Sequence, residues 1–255
     1  MIPVSVIVIT KNEEHNIDEC LQSVSWAEEI VVVDTGSTDS TVERARNYTE
    51  KVFTHEWRGY GEAKNFALQQ CNNEWVFWLD ADERVTAELQ EEVRHALASV
   101  GETVVAFRMP RLANFLGRWI YHGGWYPGKV VRLFRKSFVT FSDARVHEQL
   151  VLSKGEIADI KAHLLHYTDP TLEHYLQKFN TYTTLAAEEL RLRGKKFHLH
   201  TLLVNPIWVF LKMYIVKAGF RDGIQGFLLS VLSAHYVFVK YAKHWERTTK
   251  GGTVR

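Results

Sequence analysis

The sequence predicts an α/β protein: a mainly parallel sheet with helices on both faces, followed by a mostly helical C-terminal segment. Three short apolar runs, at residues 4–9, 30–33 and 75–79, are rich in β-branched or aromatic residues. Such runs are typical of strands buried on both faces. Each run ends in a polar or acidic loop, and helical spacing follows the first two. Strand, loop and helix in alternation indicate βαβ units.

The first strand, Val4–Ile9, leads into the polar loop Thr10–Glu14. Apolar residues then recur at helical spacing from Ile17, and Asn16 is a suitable helix cap. The second strand ends in Asp34–Thr41, a loop rich in Ser, Thr and Asp that predicts another helix start. These two units place two polar loops at the carboxyl ends of neighbouring strands.

The third strand ends most abruptly, in Asp80-Ala81-Asp82. Open α/β sheets bind ligands outside the carboxyl ends of their strands, so we expect all three loops to lie at one edge. Two carboxylates there can hold a hard divalent cation, which could in turn clamp a diphosphate. A lone D-x-D is more often a solvated acidic turn, but the agreement of three loops favours a ligand site.

Four segments, VIVITKNEEHNI, VVVDTGSTDST, GEAKNFAL and WVFWLDADE, together resemble the family 2 glycosyltransferases, which are inverting enzymes with the GT-A (Rossmann-like) fold. They cover about the first 85 residues. Later segments (NFLG, HGGWYP, VRLFR and VHE) resemble a narrower subgroup. That subgroup comprises the lipopolysaccharide and lipooligosaccharide core β-1,4-glucosyltransferases, which add glucose to the inner-core heptose. The resemblance implies a UDP-sugar donor and a lipid-linked saccharide acceptor.

The resemblance also implies site residues. Donor-binding positions, for uracil, ribose or phosphate, are Thr10, Asn12, Glu13, Asp34, Lys64 and Asp80. Asp82 would bind a metal ion, Mg²⁺ or Mn²⁺, that bridges both phosphates, and Asp80 would approach the ribose or the metal. The alternative for Lys64 is a solvated helix cation. Asp39 is better interpreted as a helix cap than as a ligand contact.

An inverting displacement needs a base that removes the proton of the acceptor hydroxyl, and carboxylates dominate that role in sugar chemistry. The downstream candidates are Asp143, Glu148 and Asp159. Glu148 is favoured as catalytic, because it follows the basic and aromatic block where the family places an acidic residue on the acceptor side. The usual family base is an Asp in a different local sequence, which leaves an ordinary surface carboxylate as the alternative.

Other candidates are less specific. Arg132 and Arg135 could face an acceptor phosphate or the donor diphosphate, or simply flank a strand. Trp125 and Tyr126 could stack on sugar, although aromatic residues beside Gly and Pro are as often packed in loops. His166 could supply a further metal or diphosphate contact, but a lone His is more often structural.

The predicted organisation is a catalytic domain at 1–170 and a helical region at 171–255. Residues from 191 onward carry 12 Lys and Arg against two acidic residues, so this tail has a net charge of +10 and residues 1–190 have −9. Its apolar runs are interrupted by Lys and Arg before reaching the length of a spanning helix. They favour a peripheral position on an anionic membrane surface, at the cytoplasmic face of the bacterial inner membrane. A helical subdomain packed on the catalytic domain is the alternative.

Several classes fit less well. A dinucleotide-binding dehydrogenase needs G-x-G-x-x-G after the first strand, and the sequence there is TKNEEH. The apolar runs of the tail suit lipid better than nucleic acid. Two cysteines argue against a disulfide framework, and no secretory signal is recognised at the start. A transferase acting on polyprenyl phosphate or a capsule intermediate, and a non-catalytic nucleotide-sugar binding protein, remain alternatives.

Overall fold

A computed structural model describes residues 1–142 and 150–249, which form two compact units. The first unit contains residues 1–111 and 128–166, and the second contains residues 112–127 and the chain from Tyr167 onward. Residues 112–127, within the segment predicted as catalytic, therefore lie with the C-terminal helices.

Strands and helices alternate through the first hundred residues. They are β1 (Ile2–Thr10), α1 (Ile17–Gln22), β2 (Ala27–Asp34), α2 (Thr41–Ala45), β3 (Val52–Thr54), α3 (Tyr60–Gln70), β4 (Trp75–Asp80), β5 (Glu83–Arg84) and α4 (Ala87–Ala98). The βαβ order predicted from the apolar runs is confirmed.

Strands dominate the next part of the chain. They are β6 (Val104–Phe115), β7 (Arg118–Ile120), β8 (Gly128–Arg135), β9 (Val139–Phe141), β10 (Leu150–Leu152), β11 (Glu156–Asp159) and β12 (Leu164–Asp169). Three long helices follow: α5 (Leu172–Leu192), α6 (Leu199–Leu211) and α7 (Gly223–Thr249). The mostly helical C-terminal segment is thus confirmed.

The main sheet combines a parallel and an antiparallel part. Its strands lie in the order β3-β2-β1-β4-β8-β6. The first four are parallel, whereas β8 runs antiparallel to both β4 and β6. β11 pairs in parallel with β6, and β5 pairs antiparallel with β12. The parallel part carries the three predicted strand ends, as a mainly parallel α/β sheet requires.

Side chains that alternate along β1 enter two separate apolar clusters. Val6 and Val8 belong to one cluster with residues of α1 and α4, while Ile7 belongs to the other with residues of α3. All three are fully buried. Because successive strand residues point to opposite faces, helices cover both faces of the sheet. This double cover explains why the strands are continuous apolar runs.

The second unit has a smaller apolar cluster built around Phe115, Ile120 and Leu229. Its helix α6 continues into a π-helical turn at Lys212–Val216, and a 3₁₀ turn at Gly219–Asp222 leads into α7. Two helical segments of the described chain are long and apolar enough to cross a membrane by length and composition: Leu199–Val216 and Gly219–Thr249. None of the first segment is buried, and 22% of the most apolar 18-residue stretch of the second is buried. Helix therefore continues through Lys212, whereas Lys217 follows the end of the π-helical turn.

Candidate active site

The carboxyl ends of β1, β2 and β4 lie side by side. Thr10 pairs with Asp34 across β1 and β2, and Ile9 pairs with Asp80 across β1 and β4. Since neighbouring strands are about 4.8 Å apart, residues at these positions share one edge of the sheet. The structure thus brings together three of the predicted donor positions.

Hydrogen bonds join the β1 loop to the β2 loop. The Asn12 amide donates to Ser37 Oγ at 2.8 Å, and Asn12 Oδ1 accepts from the Thr38 amide at 2.8 Å. The Glu13 amide donates to Thr41 Oγ1 at 2.8 Å. Asn12 has a φ of 55°, a left-handed conformation that Asn tolerates better than most residues. Asn12 and Glu13 therefore hold the two loops in one arrangement.

Asp34 organises its own loop. It is buried, and its carboxylate accepts from the amides of Gly36 and Ser37, both at 3.0 Å. Gly36 has a φ of 101°, which a residue with a side chain rarely adopts. Beside it, Thr10 Oγ1 is buried and has no hydrogen-bond partner among the described residues. A buried hydroxyl without a partner calls for an explanation, which a bound polar ligand or an ordered water can supply.

Asp80 belongs to a network of charges. It accepts hydrogen bonds from Trp78 Nε1 at 3.0 Å and from Arg132 Nη2. Arg132 also donates to the fully buried Glu83 at 2.7 Å, and Glu83 accepts from the Asp80 amide at 3.1 Å. Arg111 Nη1 lies 3.4 Å from Glu83 Oε1, the same oxygen that Arg132 contacts. Asp80 is therefore held in place by Arg132, and its role as a metal ligand stays a prediction.

The network shifts the pKa values of its two carboxyl groups in opposite directions. Burial raises the pKa of Glu83 above the usual carboxyl value, and the neighbouring Asp80 adds to this rise. Burial also opposes ionisation of Asp80, but Arg132 and then Lys64 outweigh it and hold the pKa of Asp80 below its ordinary value. For Arg132, burial is outweighed by Asp80 and Glu83, so its pKa is raised. Asp80 and Arg132 therefore keep their charges at neutral pH.

Lys64 is buried beside this network, although it lies on a helix. Its Nζ lies 3.6 Å from the centroid of the Trp78 ring, and the Arg132 guanidinium carbon lies 3.9 Å from the same ring. Two cations over one indole are stabilised by its π electrons. The alternative of Lys64 as a solvated helix cation is wrong, because only 2% of the residue is exposed.

Asp82 and His166 come together although they are 84 positions apart. His166 Nε2 lies 3.3 Å from Asp82 Oδ2, and the pairing of β12 with β5 places His166 opposite Glu83. Within the described ranges, no group of three or more His, Cys, Asp or Glu side chains is suited to hold a metal ion. The carboxylate and imidazole therefore form a close pair, and their role as metal ligands stays a prediction.

Several predicted residues lie apart from the strand ends. Arg135 pairs with Trp75, at the opposite end of β4 from Asp80, and donates to the Val104 carbonyl at 3.1 Å. Arg132 and Arg135 consequently do not face one anion. In the second unit, Trp125 packs on Phe115, with ring centroids 6.2 Å apart.

Tyr126 packs edge-on against Tyr121, with ring centroids 5.6 Å apart. Asp159 is exposed and paired with Arg108 and Lys129, at 2.9 and 3.1 Å. Hydrogen bonds from these two cations lower the pKa of Asp159 to about 2, which makes it a weak base.

The favoured base lies outside the described residues. Asp143, His147 and Glu148 all fall within 143–149. Their roles therefore stay predictions.

Sequence reasoning missed Glu83 and Arg111. Glu83 carried a local signal, since it is a third carboxylate directly after Asp80 and Asp82. Arg111 had none, because its contact with Glu83 depends on the fold rather than on spacing. Asp39 agrees with the capping interpretation: it accepts from the Thr41 amide at 3.0 Å, at the start of α2.

The sheet and its edge of polar residues define a glycosyltransferase: the chain belongs to the family described as glycosyl transferase family 2, whose model matches residues 5–148. It is 32% identical to LpsC of Rhizobium meliloti, a lipopolysaccharide core biosynthesis glycosyltransferase, over 96% of this chain and 93% of LpsC. It is also 33% identical to an uncharacterized glycosyltransferase of Rickettsia typhi, over 98% of this chain and 89% of that protein.

Among solved structures, the chain is similar to Staphylococcus aureus TarS 1–349 in complex with UDP-GlcNAc. Sequence identity is 16% and the TM-score is 0.46, with all of this chain and 93% of that chain covered.

Proposed function

We propose that this glycosyltransferase moves a hexose, glucose, from a UDP-sugar to the inner-core heptose of lipopolysaccharide, with inversion at the anomeric carbon. The similarity to LpsC over nearly the whole chain carries the assignment to core biosynthesis. The arrangement of Thr10, Asp34 and Asp80 at one sheet edge supports the donor site.

The donor nucleotide lies at that edge in this proposal. Asp34 and the unsatisfied Thr10 hydroxyl face the uracil and ribose, and the joined loops of Asn12 and Glu13 shape the pocket. Lys64 contributes positive charge towards the diphosphate, while Asp80, held by Arg132, orients the ribose. Fixed hydrogen-bond partners lower the entropy lost when the donor binds.

Asp82 and His166 would hold the divalent metal ion. An oxygen and a nitrogen ligand suit Mn²⁺ or Mg²⁺. A metal ion bound there would neutralise the charge that develops on the departing diphosphate. His166, 3.3 Å from Asp82, also orients that carboxylate before the donor arrives.

The proposed base is Glu148, acting on the acceptor hydroxyl from the face opposite the leaving group. Asp159 is a poor alternative because Arg108 and Lys129 keep it ionised and weakly basic. Glu148→Gln should abolish transfer and leave UDP-sugar binding nearly intact, since the lost role is proton removal.

The function is tested by offering a panel of UDP-sugars to the full chain, with and without a soluble heptose-containing core oligosaccharide. We expect UDP release from one sugar donor and transfer to the oligosaccharide. Asp82→Asn should lower transfer at least about 10²-fold, because several kcal/mol of stabilisation is lost. Full activity in EDTA would exclude the metal role. Donor binding without turnover on any acceptor would indicate a non-catalytic binding protein.

We also propose that the second unit lies on an anionic membrane surface at the cytoplasmic face of the inner membrane. Seven apolar residues of α6 and its π-helical turn are each more than half exposed: Leu199, Leu203, Val204, Ile207, Trp208, Ile215 and Val216. The chain from residue 191 onward carries a net charge of +10. Exposed apolar surface beside cations suits an interface with anionic lipid.

Vesicle binding tests this location. Full-length protein should bind phosphatidylglycerol vesicles, and binding should weaken with salt without vanishing. Trp208→Glu should lower the affinity at least about tenfold. Trp57→Glu is the matched control, since Trp57 is also exposed but lies in the first unit. If wild-type protein ignores these vesicles, the membrane location is wrong.

A further inference from the structure

The second unit contains a histidine held by a buried carboxylate, and nothing in the donor site uses it. The His122 amide donates to Asp222 Oδ2 at 2.8 Å, and His122 Nδ1 lies 2.8 Å from Asp222 Oδ1. The Asp222 side chain is 4% exposed, whereas that of His122 is 30% exposed. One carboxylate thus fixes both the backbone and the ring of a partly exposed residue.

The turn that carries Asp222 is closely packed. A Cβ added to Gly226 would lie 2.0 Å from the Gly219 carbonyl oxygen and 3.0 Å from Asp222 Cβ. A Cβ added to Gly219 would lie 2.8 Å from the Met213 carbonyl oxygen. Both glycines are therefore required for the start of α7 to approach the preceding turn. The carboxylate of Asp222 is held on a rigid support.

This geometry determines the tautomer of His122. A carboxylate only accepts hydrogen bonds, so Nδ1 carries the proton and Nε2 of the neutral ring carries the lone pair. Among the described residues, the hydrogen bond of the His122 ring uses Nδ1, while its amide donates to Asp222 and its carbonyl accepts from the Trp125 amide at 3.4 Å. A positioned, partly exposed acceptor is thus left for a molecule outside the chain.

The loop around His122 has the composition of a saccharide site. Tyr121 is 48% exposed and packs edge-on against Tyr126. A second hydrogen bond, from the Gly123 amide to the Lys217 carbonyl at 2.9 Å, holds the loop beside the turn. Exposed aromatic rings cover the apolar faces of sugars, and a fixed acceptor can read a hydroxyl group.

We propose that His122 Nε2 accepts a hydrogen bond from a hydroxyl group of the acceptor saccharide, with Asp222 as the positioning residue. The site rests on the proposed function for its ligand, a polyhydroxylated sugar of the lipopolysaccharide core. His122 selects and orients the acceptor, and the donor-binding edge of the first unit is not part of this site.

The test uses His122→Asn in the full chain. The Asn side-chain amide can replace Nδ1 as donor to Asp222, but it has no atom at the position of Nε2. The matched control is His174→Asn, because His174 also contacts a buried carboxylate of the second unit, Asp169, at 3.2 Å. Binding of a soluble heptose-containing core oligosaccharide is measured by saturation-transfer NMR with UDP present, and the acceptor KM and the melting temperature are measured in parallel.

We expect His122→Asn to weaken oligosaccharide binding and raise the acceptor KM by about tenfold, the effect of one hydrogen bond. UDP binding and melting temperature should stay at the wild-type values, and His174→Asn should match wild type throughout. Unchanged oligosaccharide binding in His122→Asn, or no oligosaccharide binding by wild type, would overturn the proposal. It would also be overturned if His122→Asn lowered the melting temperature and weakened UDP binding as much as oligosaccharide binding. His122-dependent oligosaccharide binding without transfer would overturn the proposed function alone.

Discussion

Removal of the Arg132 guanidinium is the most direct test of the charge network beneath the donor edge. Arg132→Met keeps an unbranched apolar stem but removes the guanidinium that lies over Trp78, and it leaves Asp80 and Glu83 without their shared cation. Breaking a buried ion pair on one side costs about 3–5 kcal/mol. For a chain of this size, each kcal/mol lowers the melting midpoint by about 2–4 °C, so a fall of about 10 °C is expected.

The loss should depend on pH with a defined sign. Burial already raises the pKa of Glu83, and removing Arg132 raises it further. A carboxyl group whose pKa is higher in the folded state favours folding at low pH, and this contribution is lost as pH rises through the folded-state pKa. The stability difference between Arg132→Met and wild type should therefore narrow from pH 8 to pH 5.

The assay is urea and thermal unfolding of wild type, Arg132→Met, Glu83→Gln and the double variant. Replacing Glu83 by Gln removes the unpaired charge, so the double variant should recover about 1–3 kcal/mol relative to additivity. Arg135→Met is the matched control on the same strand, because the partners of Arg135 among the described residues are a ring face and one carbonyl; it should cost about 1 kcal/mol. The charge network would be refuted if the losses of unfolding free energy for Arg132→Met and Glu83→Gln were additive in the double variant. Equal losses for Arg132→Met and Arg135→Met would also refute it.

Two further predictions concern the donor and the base. Lys64→Met should weaken UDP binding about tenfold in calorimetry, since one buried cation is lost near the proposed diphosphate position; unchanged affinity would remove Lys64 from the donor site. Asp159→Asn should keep kcat within about twofold of wild type, because a carboxylate with a pKa of about 2 is too weakly basic for proton removal. A loss comparable to that of Glu148→Gln would instead assign the base to Asp159.

The edge of the sheet was predictable from sequence because strand direction alone determines it. Apolar runs ending in Thr10, Asp34 and Asp80 must meet at one edge once the strands are parallel, whatever their side chains contact. The same reasoning could not separate Asp80 from Asp82. Asp80 contacts Arg132 of β8, and Asp82 contacts His166 of β12. Contacts between residues so far apart in the chain leave no spacing pattern in the local sequence.

Of the two alternatives for Arg132 and Arg135, a position along a strand agrees with the structure and a shared anion does not, for a geometric reason. Arg132 and Arg135 are three positions apart on β8, and an odd spacing along a strand places side chains on opposite faces. The burial of Lys64 could not be predicted either. Helical periodicity identifies buried positions from apolar residues, so a cation is interpreted as exposed. The Trp78 ring that accommodates Lys64 is contributed by a strand, β4.

The bonds between the β1 and β2 loops have a consequence for changing donor preference by recombination. The Thr38 amide donates a hydrogen bond to Asn12 Oδ1, and Thr41 Oγ1 accepts one from the Glu13 amide. The conformation of each loop therefore depends on the other loop. A single loop transplanted from a relative in which the two loops form different hydrogen bonds would lack its partners in the other loop. Donor preference should therefore be exchanged between relatives only when both loops are transferred together.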